Sequence, residues 1–429
     1  MTNDGKKIGL ALSGGGYRAA AYHLGTLRAL HKLGVLDKVD VISSVSGGSI
    51  TSAYYVLYKD NFKDFDESFY KKLSFGVMHL AFTDVILVVC VFIMLSYLIS
   101  PWLLLSILPS FWFFCYIMFP LSWLVRLQYD WLFFGKKTLS DLPDTPTLVI
   151  NTTDVAQGSL FKFSKNRAWG YNYQNRHMQD DDFTGVNFPV SSAVMASSCV
   201  PFAFTPLRMP EKYRKKKTAT CPLLVDGGLY DNQGVHELGE NGEHSAKYII
   251  VSNAGNTELS DRHIWNIVKM LVKTTDILMK RIEKMQSRKN MFLSDNVKRR
   301  YAYCNLNYDN TDRLVKSYVR NIALGLVPAE TYLLHGITEE VANNFRDKYK
   351  LTKIIDRKIL EELVILVKKN IGWDELVAIC PDDKEATCAK NVRTNLIGLS
   401  RKKRDALAKY AEWMTMVQVR LYLPVLLTK

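Results

Sequence analysis

A serine stands at the end of a short β-branched run, residues 41–45, and small residues follow it directly. The run predicts a strand, and the small residues predict a sharp turn into a helix with Ser46 at its apex. Such a turn holds one side chain away from the backbone, and the first amides of the helix direct their positive dipole end toward it. A hydroxyl at this position is well placed to act as a nucleophile.

A serine hydroxyl is a weak nucleophile unless a base takes its proton, and the oxyanion that it creates needs hydrogen-bond donors. The chain offers both kinds of group at the ends of other apolar runs. The run at residues 223–225 ends at Asp226, whose carboxylate can serve as a base. The run at residues 8–12 is followed by three glycines that leave their amides uncovered: Gly14, Gly15 and Gly16.

The order of predicted elements favours an α/β fold with a mostly parallel sheet. A strand at residues 8–12, a helix at 17–33, the strand before Ser46 and a second helix form a βαβα beginning. Functional groups of such sheets collect at the carboxyl ends of the strands, so the glycines and Ser46 can face one another. Further strands are predicted at 147–153 and 247–252. From about residue 260 the periodicity predicts helices, which we interpret as helical cover for the sheet.

Three motifs, taken together, resemble those of the patatin-like phospholipases. They are Gly14-Gly-Gly-Tyr-Arg18, Ser44-Val-Ser46-Gly-Gly48 and Asp226-Gly-Gly. The family pattern is a GGGxR oxyanion loop, a GxSxG elbow and a D-G-A/G motif that closes a Ser/Asp dyad without histidine, an arrangement shared by the cytosolic phospholipase branch. The resemblance extends from residue 8 to about 251, and Ala196-Ser197 with Pro201 adds to it. It implies a patatin-like three-layer fold and no cofactor.

The resemblance also implies roles for individual residues. Ser46 is expected to be the nucleophile and Asp226 the base, and the amides of the three glycines, Gly14, Gly15 and Gly16, are expected to bind the oxyanion. Arg18 is expected either to orient the glycine loop or to meet a substrate phosphate, and a purely structural ion pair is the alternative. No metal site is implied.

The elbow departs from the family pattern at one position. Ser44 stands where the family has glycine, whereas Gly48 retains the usual residue on the other side of the nucleophile. Both positions must be small because the turn brings the strand and helix backbones close together. Serine is the next smallest choice that carries a polar group, so we expect the elbow to form.

A run of 41 residues between Asp84 and Arg126 contains no charged side chain. A bilayer core needs about 20 helical residues per span, so the run predicts a transmembrane or re-entrant helical hairpin at residues 85–127, with its turn between Pro101 and Pro109. Basic pairs at 71–72 and 136–137 flank it, and the positive-inside rule places both ends in the cytoplasm. A buried core hairpin is the alternative.

Composition limits the remaining classes of protein. A hydrophobic content of 48% favours a folded chain over a disordered one, and the net charge of +14 favours an anionic partner such as a membrane surface, a nucleic acid or an acidic ligand. The seven cysteines include no CxxC pair, which favours a reducing compartment and no metal site. The polar first residues predict no cleavable signal peptide, so we expect the catalytic part to remain in the cytoplasm.

Three other interpretations stay open at this stage. Gly14-x-Gly16-x-x-Ala19 also matches a dinucleotide fingerprint, as in an oxidoreductase, although the second strand ends at Ser46 and not at the acidic residue that the fingerprint requires. A non-catalytic membrane-anchored scaffold would keep the hairpin without the chemistry. A triad that uses one of the eight histidines is compatible with the sequence.

The sequence thus predicts a membrane-associated serine acyl hydrolase, of phospholipase A or lysophospholipase type. Its expected partners are a phospholipid or lysophospholipid substrate and the membrane, with the catalytic domain on the cytoplasmic side and no nucleic acid. The predicted domains are a catalytic domain at 1–258, the hairpin inserted in it at 85–127, and a mainly helical region at 259–429 that completes or covers the fold.

Overall fold

A ten-stranded sheet forms the centre of the protein in a computed structural model that describes residues 7–99, 121–171, 182–201, 203–215, 221–240, 242–255, 266–288 and 300–427. The strands are β1 (Ile8–Leu12), β2 (Val41–Val45), β3 (Thr147–Asp154), β4 (Ser159–Ser164), β5 (Arg167–Gly170), β6 (Phe183–Thr184), β7 (Leu207–Arg208), β8 (Leu223–Asp226), β9 (Tyr248–Asn253) and β10 (Arg300–Asn305). Their order is β10-β9-β1-β2-β3-β4-β5-β6, and β8 pairs with β3 and β7.

Five neighbouring strands, β10, β9, β1, β2 and β3, are parallel. Strands β4 to β8 add an antiparallel part that was not predicted. The α/β class and the mostly parallel central sheet are confirmed by the parallel strands. Because β1 and β2 are parallel neighbours, the glycine loop and Ser46 follow the same edge of the sheet, as expected.

Strand β8 runs antiparallel to β3 and ends near the same edge of the sheet. Val45 of β2 pairs with Asn151 of β3, and Asp226 of β8 pairs with the next residue, Thr152. Strand β4 occupies the other side of β3, so β2 and β8 lie on one side of it and meet end to end. This arrangement brings Ser46 beside Asp226 although 180 residues separate them in the sequence.

Helices account for most of the remaining described residues. They are α1 (Gly16–Lys32), α2 (Gly47–Tyr58), α3 (Phe62–Lys72), α4 (Val77–Ile99), α5 (Leu121–Tyr129), α6 (Val190–Ser197), α7 (Gly228–Asp231), α8 (Ile267–Arg288), α9 (Arg313–Ala323), α10 (Ala329–Leu334), α11 (Glu339–Thr352), α12 (Arg357–Asn370), α13 (Trp373–Ala378), α14 (Asp383–Lys390) and α15 (Arg401–Tyr422). A π-helical turn, Asp130–Phe134, continues α5.

The core lies on both faces of the sheet and is larger on one of them. Leu10 and Leu12 of β1 point into a large apolar cluster beneath α1 and α15, while Ala11 points to a smaller cluster on the opposite face. The alternation follows from the two-residue repeat of a strand. Val235 and Leu238, from the segment after α7, cover the smaller cluster.

The carboxyl-terminal region is part of the same fold. Strand β10 extends the parallel sheet beyond β9, and helix α15 packs along α1 with most of its residues buried. The contact is so close that a Cβ at Gly25 of α1 would lie 2.0 Å from the carbonyl oxygen of Ala408 in α15. The helical carboxyl-terminal region is therefore confirmed, and it contributes a strand and a core helix as well as cover.

Helices α4 and α5 occupy the two ends of the predicted membrane hairpin. Most of α4 is exposed and apolar, and α4 is the one helix in the described part of the chain that is long and apolar enough to span a bilayer, judged by length and composition. Gln128 of α5 donates a hydrogen bond to Asp84 of α4 (2.5 Å), so the two helices are in contact at this point. The predicted turn between Pro101 and Pro109 lies outside the described residues.

Replacing Gly25 with alanine tests the integration of the carboxyl-terminal region. We expect Gly25→Ala to destabilise the fold by about 2 to 3 kcal/mol, because the new methyl group forces α1 and α15 apart. Thermal unfolding of the purified chain measures this effect. Gly239→Ala is the matched control, since its new Cβ would meet no atom closer than 3.4 Å. Equal unfolding midpoints for the two variants would contradict the packing described here.

Candidate active site

The turn at Ser46 has a backbone conformation that side-chain-bearing residues rarely adopt. Its φ is 50° and its ψ is −119°, between the end of β2 and the start of α2 at Gly47. Such strain persists only where the surrounding structure imposes it. The Ser46 amide donates to the Ser197 hydroxyl (2.9 Å), and this hydroxyl in turn donates to the Asn151 carbonyl (2.7 Å). The predicted strand–turn–helix is therefore present, with Ser46 at its apex.

Two glycines after Ser46 allow the turn to pack against the glycine loop. A Cβ at Gly47 would lie 2.1 Å from the carbonyl oxygen of Gly16, and a Cβ at Gly48 would lie 2.3 Å from that of Leu12. No side chain fits at such distances, so glycine is required at both positions. The start of α2 and the glycine loop consequently form one closely packed unit.

The serine that replaces the usual glycine of the elbow is held by two other serines. The Ser44 hydroxyl accepts hydrogen bonds from Ser52 (2.8 Å) and Ser49 (3.3 Å), both on α2. All three side chains are fully buried. The hydroxyl at position 44 thus has partners of its own, which explains how the elbow forms without a glycine there.

Asp226 lies at the end of β8, within hydrogen-bonding reach of the Ser46 hydroxyl. The Gly228 amide donates to its carboxylate (2.7 Å), and the Thr153 hydroxyl donates to its backbone carbonyl (2.9 Å). Burial raises the pKa of Asp226 to about 6, while the hydrogen bonds from Gly228 and Ser46 act in the opposite direction. The carboxyl group is therefore largely ionised at neutral pH and can accept a proton.

The glycine loop leaves two backbone amides without acceptors. The Gly14 amide donates to the Asn232 carbonyl (2.9 Å), so it is occupied. In the described part of the chain, the amides of Gly15 and Gly16 donate to no group. Both residues have positive φ, 137° and 58°, which glycine adopts without the strain that a side chain would cause. These two amides are the loop's available hydrogen-bond donors.

Asn232 is a residue of the site that was not singled out in the sequence. Its side-chain oxygen would lie 2.3 Å from a Cβ at Gly14 and 2.7 Å from a Cβ at Gly228, so it occupies the space between the glycine loop and the Asp226 turn. The short helix α7 brings it there from a position six residues after Asp226. The spacing Asp-Gly-Gly-x-x-x-Asn was the available signal.

Arg18 is buried, and it contacts the protein itself. Its Nη1 donates to the Val392 carbonyl (3.3 Å), in the segment between α14 and α15. Burial lowers the pKa of Arg18 to about 10, and the charges of Asp276 and Glu283 oppose this effect. Its Nη2 would lie 3.2 Å from a Cβ at Gly15. These contacts favour a role in orienting the loop over contact with a substrate phosphate.

The segment at residues 392–399 joins the glycine loop to the start of α4. The Asn395 carbonyl accepts from the Tyr17 amide (2.8 Å), and the next carbonyl, of Leu396, accepts from the Met78 amide (3.3 Å). The Leu399 amide donates to the Leu73 carbonyl (2.9 Å). A stretch far away in the sequence therefore fixes both the first turn of α1 and the entry to the apolar helix.

His23, which follows the glycine loop in α1, is not placed to act as a base. Its two ring nitrogens contact the Ser13 carbonyl and the Ser252 hydroxyl, each at 2.8 Å. Burial lowers its pKa to about 4, so the ring is neutral at physiological pH. Its hydrogen bonds hold the ends of β1 and β9 together, which is a structural role.

One group of side chains has the composition of a metal site. Ligand atoms of Glu237, Glu243 and His244 lie within 4.8 Å of one another. Each is already paired: Glu237 accepts from Lys162 (2.8 Å) and contacts His244 (2.7 Å), and Glu243 accepts from the Trp169 indole (2.7 Å). We therefore assign no metal to this group.

Comparison with known families agrees with the geometry of the site. The sequence model of the patatin-like phospholipases matches residues 10–238, which is more than half of the chain. The chain belongs to the patatin-like phospholipase family. The matched range contains the glycine loop, the Ser46 turn and Asp226. No curated protein matches the chain.

Solved structures that match the chain include a human protein and a bacterial one. Human GIVD cytosolic phospholipase A2 is 14% identical with a TM-score of 0.38, and the match covers 58% of this chain and 46% of that one. VipD from Legionella pneumophila is 12% identical with a TM-score of 0.32, over 96% and 92% of the two chains. This patatin-like chain thus spans less than half the length of the human structure that it matches.

The raised pKa of Asp226 predicts a gain in stability when its charge is removed. Its pKa rises from 3.8 in the unfolded chain to about 6 in the folded protein. The free energy of unfolding therefore falls by about 3 kcal/mol as the pH rises through this interval. The Asp226→Asn substitution keeps the shape of the side chain and removes this loss of stability. We expect the variant to unfold at a higher temperature than the wild type at pH 7 and at a similar temperature at pH 4. A lower midpoint at pH 7 would contradict the assignment.

Proposed function

We propose that the protein is a membrane-associated serine acyl hydrolase that cleaves fatty-acyl esters of phospholipids or lysophospholipids. The observation that carries the proposal is that β2 and β8 meet end to end on β3, which sets the Asp226 carboxyl group beside Ser46 at a strained turn packed against the glycine loop. Membership of the patatin-like phospholipase family supports a lipid acyl ester as the substrate class.

The proposed reaction uses Asp226 as a general base and then as a general acid. The carboxylate takes the proton of Ser46 as its Oγ attacks the ester carbonyl carbon, which gives a tetrahedral oxyanion. Collapse of this intermediate breaks the ester bond, and Asp226 gives the proton to the departing alcohol. A water molecule then attacks the acyl-serine, Asp226 accepts its proton, and the fatty acid leaves as the proton returns to Ser46.

The amides of Gly15 and Gly16 are the proposed donors to the oxyanion. They have no acceptor among the described residues, whereas the Gly14 amide is bonded to Asn232. Donors fixed in place before the reaction stabilise developing charge without reorganisation, which is where oxyanion holes gain their effect. The proposal therefore narrows the predicted set of three glycines to two. Gly14 instead holds the loop against the Asp226 turn.

Neither alternative class is favoured by a specific contact. A bound dinucleotide would place its pyrophosphate at the amino terminus of α1. There the Tyr17 amide is already bonded to Asn395. A non-catalytic scaffold would not need the strained Ser46 turn or the buried carboxyl group of Asp226, whose ionisation costs the fold stability.

The proposed membrane association rests on α4 and on the charge of the chain. The exposed apolar surface of α4 would be costly in water and favourable in a bilayer. A net charge of +14 favours anionic headgroups. We propose that residues 85–127 form a membrane hairpin and that the catalytic domain lies on the cytoplasmic side, because basic pairs flank both ends of the apolar run.

The chemistry is tested by release of fatty acid from defined phospholipids and lysophospholipids. We expect Ser46→Ala and Asp226→Asn each to lose at least about a thousandfold in kcat/KM, because they remove the nucleophile and the base. The wild-type rate should rise with pH to a plateau above about 6, as Asp226 ionises. Asp374→Asn, an exposed carboxylate of α13, is the control. Release at wild-type rates by either site variant would contradict the dyad.

The membrane hairpin is tested by replacing residues 86–124 with a short glycine-serine linker. Because Asp84 and Gln128 are already in contact, the linker can join the two arms without distorting the catalytic domain. We expect an alkaline wash to release the shortened chain from the membrane fraction, while the chain still hydrolyses a water-soluble ester. Retention in the membrane fraction after an alkaline wash would contradict the hairpin.

A further inference from the structure

Helix α8 (Ile267–Arg288) turns its apolar side chains toward solvent. Five large apolar residues of this helix are between 42% and 63% exposed: Met270, Leu271, Ile277, Leu278 and Met285. They are one, six, one and seven residues apart along the chain, and steps of six or seven residues are about two helical turns, so they form a single stripe along the helix. The sequence predicts a helix here as cover for the sheet, and the structure places this apolar stripe on the side of the helix that faces solvent.

On its inner side, α8 has polar contacts with the edge of the sheet that carries the site. Glu283 accepts from the Asn253 side chain (2.7 Å), and the Gln233 side chain donates to Ser287 (3.3 Å). The methyl group of Met279 would lie 2.7 Å from a Cβ at Gly228, two residues after Asp226. The helix therefore lies over the ends of β8 and β9 while its apolar stripe stays uncovered.

The charge of α8 indicates what covers the stripe. The helix contains six basic residues and two acidic ones, and one acid, Glu283, is engaged with Asn253. Arg281 and Lys284 are exposed next to the apolar stripe. An apolar stripe flanked by basic side chains is the pattern of helices that lie in the headgroup region of a bilayer. Anionic phospholipid complements both features at once.

The position of α8 relative to α4 fits a bilayer as the occupant. Helix α8 contacts the ends of β8 and β9, and the start of α4 is held by the segment that also holds the first turn of α1, directly after β1. Met279 of α8 lies beside the Asp226 turn, and Met78 of α4 is bonded to Leu396, next to the residue that holds Tyr17. The start of α4 and the inner side of α8 thus both lie near the carboxyl ends of β1 and β9, which are neighbouring strands.

We propose that the exposed stripe of α8 is a second membrane-binding surface, which lies flat in the headgroup region of an anionic bilayer and is distinct from the apolar hairpin. Binding there would reposition the helix that lies over the Asp226 turn. Access of a lipid to Ser46 then depends on the anionic surface, a consequence that rests on the proposed function.

Hydrogen exchange of the full chain in lipid nanodiscs tests the surface without using catalysis. The chain carries Ser46→Ala, and the discs contain phosphatidylcholine alone or mixed with phosphatidylserine. We expect the amides of α8 to exchange about thirtyfold more slowly in the anionic discs, the size expected for two basic side chains near such a surface, and this difference to vanish at high salt. Equal exchange in both discs overturns the proposal. It is also the result expected if α8 binds another protein instead of a bilayer.

Serine substitutions on two exposed apolar surfaces provide the matched comparison. Leu271→Ser, Leu278→Ser and Met285→Ser, combined, should abolish the effect of phosphatidylserine on α8. The control combines substitutions at apolar positions of the carboxyl-terminal region that are 69% to 85% exposed, more than the three of α8. They are Leu351→Ser, Ile354→Ser and Ile365→Ser, and they should leave the effect intact. Persistence of the effect in the α8 variant, or its loss in the control, overturns the proposal.

The rate of lipid hydrolysis by chains that retain Ser46 provides a second test of the proposal. We expect the α8 variant to cleave lipid in anionic discs at least about tenfold more slowly while its cleavage of a water-soluble ester is unchanged. Equal slowing on both substrates would overturn the coupling to access. If the wild type cleaves neither substrate, the proposed function fails, and the exchange experiment still decides whether α8 binds the bilayer.

Discussion

Close backbone contact between the Ser46 turn and the glycine loop is the constraint on which the site depends. Gly47 and Gly48 lie so near the carbonyl oxygens of Gly16 and Leu12 that no side chain fits at either position. This contact fixes the strained backbone of Ser46 and brings its side chain against the glycine loop, since its Cβ would lie 3.3 Å from a Cβ at Gly14. The serines around Ser44 and Ser197 then supply the hydrogen bonds that hold the strain in place.

Much of the site could be predicted from the sequence because its pieces are local. The β-branched run before Ser46, the glycines after β1 and the aspartate at the end of β8 each give a recognisable pattern over a few residues. The direction of β8 could not be predicted in this way. A four-residue strand carries no mark of whether it pairs parallel or antiparallel, and its partner β3 lies some seventy residues earlier. The occupied amide of Gly14 depends on the same long-range pairing.

The carboxyl-terminal region shows why helical periodicity alone is insufficient. The repeat in α8 correctly predicts a helix over the sheet. It cannot say which side of the helix faces the sheet, because an apolar stripe can face a bilayer as well as a protein core. Likewise, the segment at 392–399 has no motif, yet its carbonyl groups accept from Tyr17 and Met78. Its importance lies in main-chain contacts, which any side chain permits and which therefore leave no trace in residue types.

The central claim is that Ser46 is an activated nucleophile and that Asp226 activates it. Reaction of the full chain with a long-chain alkyl fluorophosphonate, followed by mass spectrometry of its peptides, tests this claim most directly, because such reagents phosphonylate activated serines. The account predicts one adduct, on Ser46, which forms in the wild type and is lost in Asp226→Asn. An adduct on another serine, or undiminished labelling of Ser46 in Asp226→Asn, would contradict it.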